Sequence, residues 1–110
     1  MELIDYQALI PKFNRYSTEN QELLLALGLN GEAGEVAEKI KKLFRDDVDI
    51  NDFRYQIAKE LGDVMWYVCM LANNYHLNME DILDINVNKL ETRSHRDMIH
   101  GSGDDREEHK

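Results

Sequence analysis

Two pairs of carboxylates with the same three-residue spacing stand out in this 110-residue sequence, Glu32 with Glu35 and Glu60 with Asp63. On a helix, two side chains three residues apart lie on neighbouring turns of one face, where they can bind the same cation. Both pairs occur in otherwise strongly apolar segments, and an uncompensated carboxylate costs free energy in such surroundings. Ligands that offer only oxygen suit Mg²⁺ or Mn²⁺ better than zinc. The spacing therefore predicts a site for a hard divalent cation.

Acidic pairs on helices have two other interpretations. A single Glu-x-x-Glu pair is common on solvated helix faces, so that interpretation stays open for either pair taken alone. A di-iron carboxylate bundle is rejected, because that class needs Glu-x-x-His motifs and none of the four histidines follows a glutamate by three residues.

The segments that carry these carboxylates are predicted to be helices. The composition, with one proline, six glycines and 32% charged residues, favours helix over a turn-rich β fold. Apolar periodicity and capping patterns predict four helices joined by short connections, and hence an all-α four-helix bundle. Their approximate bounds are 4–16 with an interruption at Pro11, 18–44 from a capping box at Thr18, 51–74 capped by Asn51 or Asp52, and 78–93 or beyond.

Packing of the bundle is predicted from the same periodicity. Gly31 and Gly34 interrupt the second helix and indicate a tight helix crossing, a bend, or close approach of a ligand. The third helix is apolar nearly all round, so we expect it to be buried centrally or at an interface between copies. Leu83, Val87 and Leu90 form the apolar line of the fourth helix.

Charge and cysteine content exclude several classes of protein. The net charge of −9 argues against binding to nucleic acid or to an anionic membrane, both of which need a basic surface. Cys69 is alone, which excludes an internal disulfide and a cysteine zinc cluster, and we expect it to be buried. The N-terminus lacks a signal-peptide pattern, so the protein is predicted to be cytoplasmic. Residues 1–97 are predicted to form the helical domain, and residues 98–110 a flexible charged tail.

The sequence resembles a known family in both acidic motifs. Residues 31–38 read Gly-Glu-Ala-Gly-Glu-Val-Ala-Glu, and residues 59–64 read Lys-Glu-Leu-Gly-Asp-Val. This compound Glu-x-x-Glu and Glu-x-x-Asp motif is similar to that of the MazG-like nucleoside triphosphate pyrophosphohydrolases, which belong to the all-α NTP pyrophosphatase superfamily. The likeness extends to Asn86, Lys89 and Arg93, and so covers most of the chain.

The resemblance implies a reaction and roles for named residues. The reaction is Mg²⁺-dependent hydrolysis of a nucleoside or deoxynucleoside triphosphate to the monophosphate and pyrophosphate, with Mn²⁺ as a substitute cation. It assigns Glu32, Glu35, Glu60 and Asp63 as metal ligands and a homodimer or homotetramer as the assembly. Further residues are placed near the substrate: Asn86, Lys89 and Arg93 at its phosphates, and Glu38 as a base that orients water.

The sequence is also compatible with other roles for these residues and for the chain. Glu38 is also well placed for helical ion pairing with Lys41 or Lys42. The chain as a whole has two rival interpretations: a non-enzymatic helical module that binds a nucleotide or a protein partner, and a purely structural dimerisation domain.

Overall fold

The computed structural model describes the backbone of residues 1–99 and the side chains of residues 1–96. Its elements are α1 (Leu3–Leu9), a 3₁₀ turn (Ile10–Phe13), α2 (Gln21–Arg45), α3 (Ile50–Asn74) and α4 (Met79–Ile99). These residues contain no strand, which confirms the all-α, four-helix prediction. The last helix extends two residues into the predicted tail, and the rest of that tail lies outside the described residues. None of the helices in this range is both long and apolar enough to span a bilayer.

The ends of the helices differ from the predicted ones at three places. The first α-helix stops at Leu9 and continues only as a 3₁₀ turn, because Pro11 cannot donate a backbone hydrogen bond. Helix α2 begins at Gln21 without the predicted capping box. Helix α3 is capped by Asp49, whose carboxylate accepts the N–H groups of Asn51 and Asp52 at 2.8 and 3.2 Å. The prediction that one of those two residues is the cap was wrong.

Helices α2 and α3 are joined by the short connection 46–49 and pack side by side. Helix α4 contacts the rest of the chain mainly through α1. The core lies between α1, its 3₁₀ turn, α2 and the C-terminal half of α3. Cys69 is fully buried there, as predicted, and burial raises the pKa of its thiol. The buried hydrophobic side chains of this core are Ile10, Leu25, Cys69, Met70, Ala72 and Met79.

The bundle is open on the side of α4. Its radius of gyration is 17.4 Å, against about 13 Å for a compact domain of this length. Leu83, Val87 and Leu90 are 46%, 51% and 43% exposed, so this apolar line is only half covered within one chain. On α3, Leu61 is 52% exposed and Met65 is 40% exposed. A hollow of about 460 Å³ separates the two helices there.

Candidate metal centre

Three of the four predicted metal ligands lie together where α2 and α3 run side by side. Glu32 comes from α2, and Glu60 and Asp63 come from neighbouring turns of α3. One carboxylate oxygen from each lies within 4.8 Å of the other two. Glu32 and Glu60 are half-buried and Asp63 is exposed. The arrangement is a cluster of oxygen ligands that is open to solvent on one side.

The negative charges of this cluster act on Glu32 most strongly. Burial, and then the charges of Asp63, Glu60 and Glu35, raise the pKa of the Glu32 carboxyl, and a hydrogen bond with Glu60 raises it further. A carboxylate among like charges binds a proton more tightly because ionisation adds to the repulsion. The same repulsion is relieved by a divalent cation.

The cluster fits a hard divalent cation. Its ligands are all carboxylates, and the described residues place no histidine or thiolate among them. Mg²⁺ and Mn²⁺ are bound through one or a few carboxylates while keeping water and substrate oxygens as further ligands. The solvent-facing side at Asp63 leaves room for such ligands.

The other two acids predicted on α2 lie on its exposed surface. Glu35 is exposed and outside the group of three, although its charge is felt at Glu32. Glu38 lies one turn further on and pairs with Lys41 at 3.8 Å, with half of its side chain exposed. This pair is the alternative that the helical spacing suggested for Glu38, and its role as a base stays a prediction.

A close contact between the two helices lies one turn from the carboxylates. A methyl group added at Gly28 would lie 2.5 Å from the Tyr67 Cζ atom and 2.8 Å from its hydroxyl oxygen. Gly28 precedes Glu32 by one turn of α2, and Tyr67 follows Asp63 by one turn of α3. A tight crossing is one of the three explanations given above for Gly31 and Gly34, beside a bend and the approach of a ligand. A methyl group at either glycine would meet nothing within 4 Å, so the close contact lies at Gly28 instead.

Two tyrosines are hydrogen-bonded to each other near the cluster. The Tyr16 and Tyr67 hydroxyl oxygens are 2.8 Å apart. This bond, burial and the charges of Tyr16, Glu32 and Asp63 raise the pKa of Tyr67 to about 12. The Tyr67 hydroxyl therefore stays protonated at neutral pH. Sequence reasoning missed the pair; its only signal was that Tyr67 lies one turn after Asp63 on the same helix face.

The predicted phosphate contacts all lie on α4. Asn86 is exposed and lines the hollow between α3 and α4. Lys89 and Arg93 follow at helical spacing and are half-buried. Their distance to the carboxylates depends on the direction in which α4 leaves the α3–α4 turn, because α4 packs little on α3.

Comparisons with known proteins agree with this fold. Residues 20–97 match the family model described as the MazG nucleotide pyrophosphohydrolase domain. The gene 37 protein of Mycobacterium phage L5 is 46% identical over 84 residues, which is 74% of either chain.

Two crystal structures of iMazG from Vibrio DAT 722 are similar to the chain, both at 32% identity. The Ntag form has a TM-score of 0.61 over 83% of this chain and 97% of its own, and the Ctag form has 0.59 over 78% and 93%.

The all-α fold, with acidic motifs on two neighbouring helices, defines the class of all-α NTP pyrophosphatases. Because the family model spans most of its length, the chain belongs to the MazG nucleotide pyrophosphohydrolase family.

Proposed function

We propose that the protein hydrolyses a nucleoside or deoxynucleoside triphosphate to the monophosphate and pyrophosphate in the presence of Mg²⁺. The observation that carries this proposal is the convergence of Glu32, Glu60 and Asp63 from two helices onto one small volume. Family membership supports pyrophosphohydrolase activity in general. The triphosphate substrate and the Mg²⁺ ion are what the family resemblance implies, and a cluster made only of carboxylates suits such a hard cation.

Glu32, Glu60 and Asp63 would hold the metal, with Glu35 as a further ligand from the next turn of α2. When bound, Mg²⁺ or Mn²⁺ supplies positive charge for the triphosphate oxygens, polarises the phosphorus under attack and lowers the pKa of a bound water. The carboxylates themselves contribute a fixed array of oxygens at the junction of two packed helices. This preorganisation matters because phosphoryl-transfer sites act chiefly by positioning and by stabilising charge.

Residues of α4 would bind the substrate phosphates. Lys89 and Arg93 supply cationic donors that suit phosphate oxygens, and the guanidinium of Arg93 is able to donate two parallel hydrogen bonds. Asn86 adds an amide donor on the same side of the helix. In a chain with a net charge of −9, a local cationic pair is needed to hold a polyanion beside three carboxylates.

We also propose that the protein acts as a homodimer or homotetramer. A second copy would cover the exposed apolar residues of α3 and α4 and the hollow between them. Contiguous apolar surface of this kind is typical of subunit interfaces. The cytoplasmic location stays a prediction.

A screen of ribo- and deoxynucleoside triphosphates, with pyrophosphate release as the readout, tests the proposal. We expect release with Mg²⁺ or Mn²⁺, none with EDTA, and a loss of at least about 100-fold in Glu60→Gln, which removes one ligand charge. Asp47→Asn, an exposed acid in the α2–α3 connection, is the matched control and should retain activity.

The rival interpretations give different results in the same screen. Metal-dependent binding of a nucleotide without pyrophosphate release from any triphosphate would indicate a non-enzymatic binding module. Neither binding nor release, in a protein that still dimerises, would indicate a structural dimerisation domain.

A further inference from the structure

The N-terminal helix lies outside the range of the family match, yet it is bonded to the start of α4. The match begins at residue 20, whereas α1 spans Leu3–Leu9. Gln7 is the buried polar side chain of α1, with 8% exposed. A buried amide is costly unless its donors and acceptor are satisfied. Its hydrogen bonds therefore show what this residue holds together.

Gln7 bonds to three successive parts of the α3–α4 junction. Its amide nitrogen donates to Asn73 Oδ1 at 3.0 Å and to the Leu77 carbonyl at 2.7 Å. Its amide oxygen accepts the backbone N–H of Met79 at 2.9 Å. Asn73 returns a bond to the Gln7 carbonyl at 3.1 Å. One side chain thus joins the end of α3, the turn and the first residue of α4.

The bond to Met79 gives α4 a cap from another helix. The first N–H groups of a helix have no partner within it and need one from outside. Asn78 satisfies the N–H of Glu80 at 2.7 Å, and Gln7 satisfies that of Met79. The Met79 side chain, 3% exposed, is buried in the core beside this cap. The first turn of α4 is therefore fixed both by hydrogen bonds and by packing.

Beyond its first turn, the apolar line of α4 is only half covered by the part of the chain that the structure describes. Leu83, Val87 and Leu90 are each about half exposed. Lys89 lies ten residues after Met79, which on a helix is about 15 Å. A tilt of about 10° at the first turn would displace Lys89 by roughly 2.6 Å over that length. Displacements of about 1 Å are enough to impair a catalytic arrangement.

We infer that Gln7 is a positioning residue, which sets the angle of α4 and thereby the distance of Lys89 and Arg93 from the carboxylates of α2 and α3. The inference rests on the proposed function, in which these two residues bind substrate phosphates. The metal ligands lie on α2 and α3 and are not bonded to Gln7. Substrate affinity therefore depends on Gln7, and affinity for the metal alone does not.

Gln7→Met tests this inference, because methionine has a similar length and makes none of the three hydrogen bonds of the Gln7 side chain. We expect KM for the preferred triphosphate to rise roughly tenfold, with kcat changed less than about threefold. The Mn²⁺ dissociation constant, measured by electron paramagnetic resonance without nucleotide, should stay within about twofold of the unmodified protein.

Gln21→Met is the matched control. Gln21 also donates to the end of α3, at Asn74 Oδ1 over 3.1 Å, but it holds α2 rather than α4. Its substitution should leave KM within about twofold of the unmodified value. Equal effects of the two substitutions on KM, or a loss of Mn²⁺ affinity in Gln7→Met alone, would overturn the inference.

A distance measurement keeps the inference testable if the protein is inactive or if Gln7→Met does not fold. Spin labels at Lys42→Cys on α2 and Glu91→Cys on α4 report the helix angle, since both positions are exposed and Cys69 is fully buried. Labelled protein is diluted with unlabelled chains so that only distances within one chain are measured. Asn73→Ala, which removes two of the bonds of Gln7, serves as the second variant.

In Gln7→Met, we expect the mean distance between the two labels to shift, or its distribution to broaden, by about 3 Å. The change should be smaller in Asn73→Ala and absent in Gln21→Met. An unchanged distance in the first two would refute the positioning role. Lack of pyrophosphate release by the unmodified protein would refute the proposed function instead, so the two failures are distinguishable.

Discussion

The hydroxyl groups of Tyr16 and Tyr67 are hydrogen-bonded at 2.8 Å, which links the segment before α2 to the helix that carries Glu60 and Asp63. The bond holds the Tyr67 ring against Gly28, where α3 packs closely on α2. It therefore fixes the spacing of the helices one turn from the carboxylates.

Removing the Tyr16 hydroxyl should weaken the fold and release the Tyr67 proton at lower pH. Tyr16→Phe is expected to cost about 1 kcal/mol of unfolding free energy, measured by urea denaturation. It should also lower the pKa of Tyr67 from about 12 toward 10.0, measured by ultraviolet titration, since this bond is the largest cause of the shift. Tyr55→Phe is the control, because Tyr55 is 65% exposed.

The same pair of tyrosines should make the unfolding free energy of the protein fall as the pH rises into the alkaline range. The folded state holds the Tyr67 proton up to about pH 12 and the unfolded chain only up to 10.0. The stabilisation is therefore complete below the unfolded pKa and is lost as the pH rises through the folded one. Tyr16→Phe should lose less stability than the unmodified protein between these limits. Parallel alkaline unfolding curves for the two proteins would contradict this account.

Substitution at two glycines of α2 should have opposite effects. Gly28→Ala is expected to destabilise the protein by about 1–3 kcal/mol, because the new methyl group would displace the Tyr67 ring. Gly31→Ala should stabilise it by about 0.5–1 kcal/mol, since nothing lies within 4 Å of that position. Thermal unfolding of both variants measures these two changes in stability. If Gly31→Ala keeps its stability but loses activity, a ligand approaches the helix there, which is one of the three explanations that the sequence left open for this glycine.

The carboxylates and the glycine crossing show how far the sequence determines the site. Apolar periodicity and acidic spacing are local properties of a helix, so the carboxylate pairs and most helix bounds could be predicted. Tyr16 and Tyr67 are 51 positions apart, and their contact depends on how the N-terminal segment crosses α3. Gly28 and Gly31 each fit a helical pattern equally well, and only the angle between α2 and α3 distinguishes them.

The exposure of α4 could not be predicted for a related reason. The apolar line at Leu83, Val87 and Leu90 indicates a buried face, but the pattern is the same whether the covering surface belongs to the same chain or to another. The Gln7 cap on Met79 joins residues 72 positions apart and has no local pattern.

Metal binding should stabilise the protein only while the carboxylate cluster is intact. Mg²⁺ at about 100 times its dissociation constant is expected to add about 2.7 kcal/mol to the unfolding free energy, seen as a rise in Tm. Glu32→Gln should raise Tm without metal, because it removes a like charge, and should abolish most of the rise with Mg²⁺. Asp47→Asn should respond to Mg²⁺ like the unmodified protein.

Glu38→Gln distinguishes the two interpretations of Glu38. Because this side chain is half exposed and paired with Lys41, we expect kcat to fall less than about threefold and the unfolding free energy to change by less than about 0.5 kcal/mol. A loss of about 100-fold or more in kcat, with the Mn²⁺ affinity unchanged, would assign Glu38 as the base that orients water. Lys41→Met, which removes the partner of the ion pair, is the matched control.

The proposed assembly makes a prediction at the hollow between α3 and α4. Leu83 lines that hollow and is 46% exposed, so Leu83→Glu would bury an unpaired charge at the interface between copies. We expect the unmodified protein to sediment as a dimer or tetramer and the variant to sediment as a monomer. Phe44→Glu is the control, since Phe44 is 85% exposed at the far end of α2 and does not line the hollow. An unchanged mass for Leu83→Glu would place the interface on another face. A monomeric unmodified protein would mean that α4 stays exposed in solution, and the proposed assembly would be wrong.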